Sequence, residues 1–275
     1  MREMTLGQYY AVNSPVHALD PRTKILSVIS MMALIFLCRT FCGLAACACF
    51  VLAVSFAGHI PLSKMMSSLK AIYFLLLFTF LLNVFFNQSG AVLWQWGILN
   101  LTSGGIKRAL FMALRLVLLV TGAGLLSFTT SPIELTDGLE SLMTPLKKLR
   151  FPAHEIAMMM SIALRFIPIL TEETDKIRKA QTARGANFDS GSLYKRAGAV
   201  VSLLVPLLVS AFRRAEELAM AMEARCYHGG EGRTRLKVLR FHASDAVAAA
   251  VVLALAAFIA ADQTVIVSLL PDWTG

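Results

Sequence analysis

Apolar residues along this chain fall in continuous blocks rather than in alternation. Five blocks stand out, at residues 25–38, 41–58, 71–86, 106–128 and 246–261. Such blocks predict membrane-spanning α-helices, which need about 20 mostly apolar residues; a β-barrel would alternate residue by residue. The first block is short, but Lys24 and Arg39 flank it with side chains that can reach the headgroups. The second follows at once and predicts a helical hairpin, with Gly43, Ala45, Ala46 and Ala48 allowing close approach. Residues 59–70 are expected to connect, and 87–105, uncharged and carrying Trp94 and Trp96, to form an external loop at the lipid–water boundary.

The pattern changes at 129–241, where long apolar runs are interrupted by charge. Ser131-Pro132-Ile133-Glu134 predicts a helix start: serine caps, proline suits the first turn, and the carboxylate suits the positive end of the dipole. Leu135, Leu139, Leu142 and Met143 give that helix an apolar stripe, and Pro145 ends it. A long helix is expected from Ala153 to about Arg184, apolar through Leu170 and charged afterwards, with Pro168 kinking it near the change. A second is expected from about Ser192 to Arg225, with Pro206 in its apolar half. The two resemble a diverged repeat: a proline, then a terminal arginine in Ala183-Arg184-Gly185 and in Ala224-Arg225-Cys226. A guanidinium on a rod end beside small residues can enter an acidic groove and pair with a carboxylate in two parallel hydrogen bonds. The same arginines could equally do no more than complement the helix dipole.

Composition agrees with a polytopic membrane protein: 57% of the 275 residues are hydrophobic, 16% are charged, and mean hydropathy is +0.66. The fold class expected is therefore all-α, with about five transmembrane helices and a cytoplasmic module containing two long amphipathic helices. The division is 1–128, 129–241 and 242–275. The net charge of +9 is read as cytoplasmic loop charge and not as a nucleic-acid surface. Seventeen of the 26 Lys and Arg residues lie in 129–241, three in 1–24 and two in 59–70. This asymmetry places the N-terminus and 129–241 in the cytoplasm of a bacterial-type cell and the C-terminus outside, with Lys107 and Arg108 dissenting mildly. Residues 1–24 lack the apolar run of a signal peptide. Cys38, Cys42, Cys47 and Cys49 lie in or beside apolar helices and are expected to pack as small hydrophobes.

Catalytic chemistry is hard to find. There is no Gly-x-x-x-x-Gly-Lys-Ser/Thr phosphate loop, and the glycines around His228 lack the lysine spacing. No His-Glu-x-x-His motif occurs, and His17, His59, His154, His228 and His242 are scattered, so no metal or directly bound cofactor is expected. An integral membrane enzyme is one alternative. A self-sufficient channel or secondary transporter is another, with Arg115 inside a span as its one ionisable clue; Arg115 could equally line a helix–helix contact. The Met158–Met160 run could belong to an adaptable contact or to ordinary packing.

Several segments, in order, resemble a known family. Gly7-Gln8-Tyr9-Tyr10 and Ser14-Pro15-Val16-His17-Ala18-Leu19-Asp20-Pro21-Arg22-Thr23-Lys24 are similar to the N-terminus of the transmembrane T component (EcfT, CbiQ-like) of energy-coupling-factor transporters. Ser161 to Pro168 resembles that family's central segment, and Ala183-Arg184-Gly185 and Ala224-Arg225-Cys226 its two Ala-Arg-Gly coupling motifs. The resemblance implies an ABC-type importer of vitamins or metal ions. Two cytoplasmic ATPases (EcfA-type) would carry ATP and Mg, and a separate S component would bind the cargo. The chain itself would be the coupler and not an enzyme. Cys226 stands where the family usually has glycine, and Ala11 where proline is common.

Overall fold

The computed structural model describes residues 9–10, 12–86, 92–96, 99–149, 151–186, 188, 193–229, 239 and 241–269. Gly7, Gln8, Ala11, the glycines at 230 and 232, and the C-terminal tail lie outside them. The elements run α1 (Pro21–Leu37), α2 (Phe41–Ala57), α3 (Leu62–Phe86), β1 (Val92–Trp96), β2 (Leu99–Thr102), α4 (Ser103–Thr129), α5 (Pro132–Met143), a 3-10 turn (Thr144–Leu149), α6 (Ala153–Ala183), α7 (Leu193–Ala224) and α8 (Ala243–Leu269). The chain divides into two compact units, one of residues 5–138 with 239–275 and one centred on 139–238.

The first unit is organised around α4, which packs against α1, α2 and α3, while α8 packs against α1 and α2. Its core is Met31, Ile35, Leu44, Cys47, Leu118, Leu125 and Phe128. A close approach falls at Gly122, where a Cβ would lie 2.1 Å from Met31 Cε, so a larger residue there would displace the Met31 terminal methyl. Cys38 and Cys47 are buried as small hydrophobes, whereas Cys42 and Cys49 are exposed; all are free thiols.

Arg115 turns out to serve a helix–helix contact. Its guanidinium donates to the Cys38 carbonyl at the end of α1 and lies 4.8 Å from the Phe111 ring. Gln263 Nε2 donates to Leu37 O at 2.6 Å, and Thr40 donates to the Asp262 carboxylate. Arg115 and Gln263 thus satisfy carbonyls at the end of α1 that lack intrahelical partners, and the Thr40–Asp262 bond ties the start of α2 to α8 beside them.

Three expectations need correction. The loop at 87–105 contains a hairpin, with Trp94 opposite Leu101 and Trp96 opposite Leu99. The connector at 59–70 shrinks to four residues, because α3 starts at Leu62. Among the described residues five helices are long and apolar enough to cross a membrane, the number expected: α3, α4 and Ala243–Thr264 of α8 hold the blocks at 71–86, 106–128 and 246–261, while α6 and Ala197–Ala224 of α7 qualify in place of the blocks at 25–38 and 41–58. Helices α1 and α2 have 17 residues each, about 25 Å at 1.5 Å per residue, which falls short of a hydrocarbon core of about 30 Å.

Candidate functional site

The second unit is built on α6 and α7. Helix α5 enters as expected: Glu134 N–H donates to Ser131 Oγ at 3.3 Å, the helix stops at Met143, and Pro145 lies in the 3-10 turn. In this unit His154 Nδ1 lies 3.0 Å from Glu140 Oε1 and ties the start of α6 to the last turn of α5. Helix α6 then runs through Pro168 and α7 through Pro206 as single helices of 31 and 32 residues. Both keep apolar faces uncovered, including Met159, Met160 and Ile167 on α6, and Val201, Leu204, Leu208 and Phe212 on α7.

The two helix ends are the same structure. After α6, Gly185 N–H donates to Thr182 O at 3.0 Å and Ala186 N–H to Gln181 O at 2.9 Å. After α7, Cys226 N–H donates to Glu223 O at 2.8 Å and Tyr227 N–H to Met222 O at 3.1 Å. This paired arrangement is the Schellman motif, which requires a left-handed residue just past the cap. Gly185 occupies that position at φ +91°, and Cys226 at φ +55°. Arg184 and Arg225 are therefore the two caps in equivalent positions, and Ala183, Arg184, Gly185, Ala224, Arg225 and Cys226 are all exposed. Neither arginine makes an ion pair among the described residues.

That geometry bears on the dipole alternative. Gln181 and Thr182 in α6, and Met222 and Glu223 in α7, already offer their carbonyls to backbone N–H groups, so the arginine side chains are not needed there, although each charge still complements the helix dipole. What remains is a guanidinium held out on a closed, rigid turn, with alanine before it and a small residue after it. Such a group can enter a carboxylate-lined recess without steric hindrance from its neighbours.

Contacts between the two helices set where the tips lie. Gln181 Nε2 donates to Ser202 O at 3.2 Å, and Arg214 lies 3.7 Å from Glu173. Residue numbers fall along α6 as they rise along α7, so the two helices are antiparallel where they touch. Arg184 lies one turn past Gln181, while Arg225 lies 23 residues past Ser202, a run of about 35 Å. The tips thus occupy opposite ends of the pair, on the order of 40 Å apart along it. They do not project side by side.

Sequence reasoning found both arginines and the helix bounds to within a residue. It missed that Cys226 takes the left-handed position, because the usual signal, glycine, is absent there. Among the described residues, no three His, Cys, Asp or Glu side chains gather as a metal site would require.

Comparison with known proteins adds the following. A family model described as "CbiQ: Cobalt transport protein" matches residues 12–236. A protein of Thermosediminibacter oceani named energy-coupling factor transporter transmembrane protein EcfT is 53% identical over 248 residues, covering 90% of this chain and 93% of its own. Proteins of the same name from Ruminiclostridium cellulolyticum and Bacillus subtilis are 51% and 48% identical, each over 245 residues and 89% of this chain, covering 91% and 92% of their own.

Proposed function

Because the chain belongs to the CbiQ-like family of energy-coupling factor transporter transmembrane proteins, EcfT, we propose that it couples two ABC-type ATPases to a substrate-binding S component. The ATPases bind ATP and Mg; this chain binds neither. One ATPase takes Ala183-Arg184-Gly185 and the other Ala224-Arg225-Cys226. Each guanidinium pairs with a carboxylate in a groove of its partner, and the Schellman turn fixes the angle at which it enters.

The observation that carries this reading is the duplication of one exposed arginine cap at two ends of an antiparallel helix pair. Two like sockets on two like subunits suit two like tips. ATP-driven closure then changes the spacing between the sockets and drives α6 against α7. The uncovered apolar faces of those helices are where the S component, which holds the vitamin or metal-ion cargo, is moved. The chain lies in the bacterial cell membrane, with its N-terminus and both tips on the cytoplasmic side and its C-terminus outside.

Charge reversal tests it. The double substitution Arg184→Glu and Arg225→Glu should leave the protein inserted in the membrane and abolish co-purification of the ATPases. A single reversal should weaken the assembly by more than the 2–5 kcal/mol typical of truncating one partner of a buried charge pair. Normal co-purification by the double variant would sink the reading.

A further inference from the structure

The N-terminal segment Ser14 to Lys24 takes no part in the tips, yet with Asp245 it forms a buried polar cluster in the first unit. Lys24 is 5% exposed, Asp20 6% and Asp245 3%. Lys24 Nζ donates to His17 O at 2.8 Å and to Thr129 O, the last residue of α4, at 3.1 Å. Tyr10 N–H donates to Phe128 O at 3.0 Å. The end of α4 is thus capped from more than 100 residues away, by a cation placed where the helix dipole is negative. Asp245 Oδ1 accepts the Asp20 N–H at 2.8 Å, and its Oδ2 accepts the His242 N–H at 2.8 Å. His17 Nε2 donates to Tyr10 O at 3.0 Å, which leaves Nδ1 to accept from Ser14 Oγ at 2.7 Å in the neutral ring. Glu134, in the first turn of α5, acts on the Lys24 charge together with Asp20 and Asp245.

Three helix ends therefore meet at one place: the start of α1, the end of α4 and the start of α8. Three residues beyond Thr129 the chain enters α5, along which it leaves the first unit. Helix α5 touches the start of α1 closely at Gly138. Thr136 is buried, and a Cβ added at Gly138 would sit 3.0 Å from both Pro21 Cβ and Ile25 Cδ1. An elbow between helices would ordinarily absorb motion by rotating a few backbone dihedrals. Here the Thr129 carbonyl at its entry is held by a charge-assisted hydrogen bond, the Phe128 carbonyl by a backbone one, and Gly138 farther on by close contact.

We infer that Lys24, with Asp20 and Asp245, is a positioning cluster that locks the α4–α5 elbow, so that motion imposed on residues 139–238 reaches α1 and α8. This rests on the coupling function proposed above.

The test uses the complete complex with its ATPases and S component, with hydrogen exchange measured with and without a non-hydrolysable ATP analogue. In the wild type, the analogue changes exchange at residues 222–227 and also in residues 21–37 and 243–252. Lys24→Met keeps the response at the tip but shrinks the response in α1 and α8 about tenfold, the worth of one hydrogen bond to a charged group. Lys24→Arg, which keeps the charge and the donors, retains it. Gly138→Ala leaves every hydrogen bond of the cluster in place, wedges α5 from α1, and reduces the distal response about threefold; it decides the matter if Lys24→Met does not accumulate. A full response in α1 and α8 in both variants overturns the cluster's role while leaving the tips intact. No response at the wild-type tip overturns the coupling reading, and the cluster's role with it.

Discussion

Replacing Cys226 by glycine should make the second tip more rigid, and the structure sets the size of the effect. Cys226 holds φ +55°, where an L side chain costs roughly 1–2 kcal/mol through the approach of Cβ to the carbonyl oxygen. Glycine removes that cost but loses more freedom elsewhere, for a net gain of about 1 kcal/mol. The gain falls on the two hydrogen bonds that close the turn, Cys226 N–H to Glu223 O and Tyr227 N–H to Met222 O. About 1 kcal/mol is roughly a fivefold change in the opening equilibrium. Amide exchange at position 226 and at Tyr227 should therefore slow about fivefold in Cys226→Gly. The reciprocal substitution, Gly185→Ala, should speed exchange at position 185 and at Ala186 by a similar factor. No atom lies within 4 Å of a Cβ built at Gly185, so a clash cannot supply that effect; only the φ of +91° can. Unchanged or faster exchange in Cys226→Gly would refute the assignment of a strained left-handed cap.

Further substitutions probe the first unit. Gly122→Ala should destabilise the protein by about 1 kcal/mol, the low end for overpacking because the Met31 terminal methyl can move aside, read as a lowered midpoint of thermal unfolding in detergent. Combining it with Met31→Ala should give an effect smaller than the sum of the two, with a coupling of at least about 0.5 kcal/mol. Arg115→Leu should cost about 1.5–3 kcal/mol, because it removes a charged donor from the Cys38 carbonyl at the end of α1. Asp262→Asn should cost less, since an amide oxygen can still accept from Thr40.

Features carried by neighbouring residues were legible in the sequence. Ser131-Pro132 marks the start of α5, and Gly185 the end of α6, because caps need particular side chains at particular offsets. Features that join distant positions were not. Nothing in the pattern says that Lys24 will cap Thr129 or that Asp245 will accept from Asp20, 225 residues away. The antiparallel crossing of α6 and α7 was not legible, because two like rods ending in Ala-Arg carry no sign of their relative direction; the Gln181–Ser202 and Glu173–Arg214 contacts set it and place the tips at opposite ends. The hairpin of β1 and β2 escaped because Val92–Trp96 is nearly all apolar and shows no strand alternation. Apolar content also blurred the spans. Helices α6 and α7 pass a length and composition test that α1 and α2 fail, although their polar second halves set them apart.

The most direct measurement uses the thiol that the chain carries at one tip. Cys226 is exposed, and the other exposed thiols among the described residues, Cys42 and Cys49, lie on α2 and can be replaced by alanine. A membrane-impermeant maleimide applied from the cytoplasmic side should label Cys226 in the isolated protein. Assembly with the two ATPases should slow that labelling at least about tenfold as the tip enters its socket, and Arg225→Glu should abolish the protection. Labelling equally fast in the assembled complex, or reaction only from the outer face of the membrane, would contradict the account.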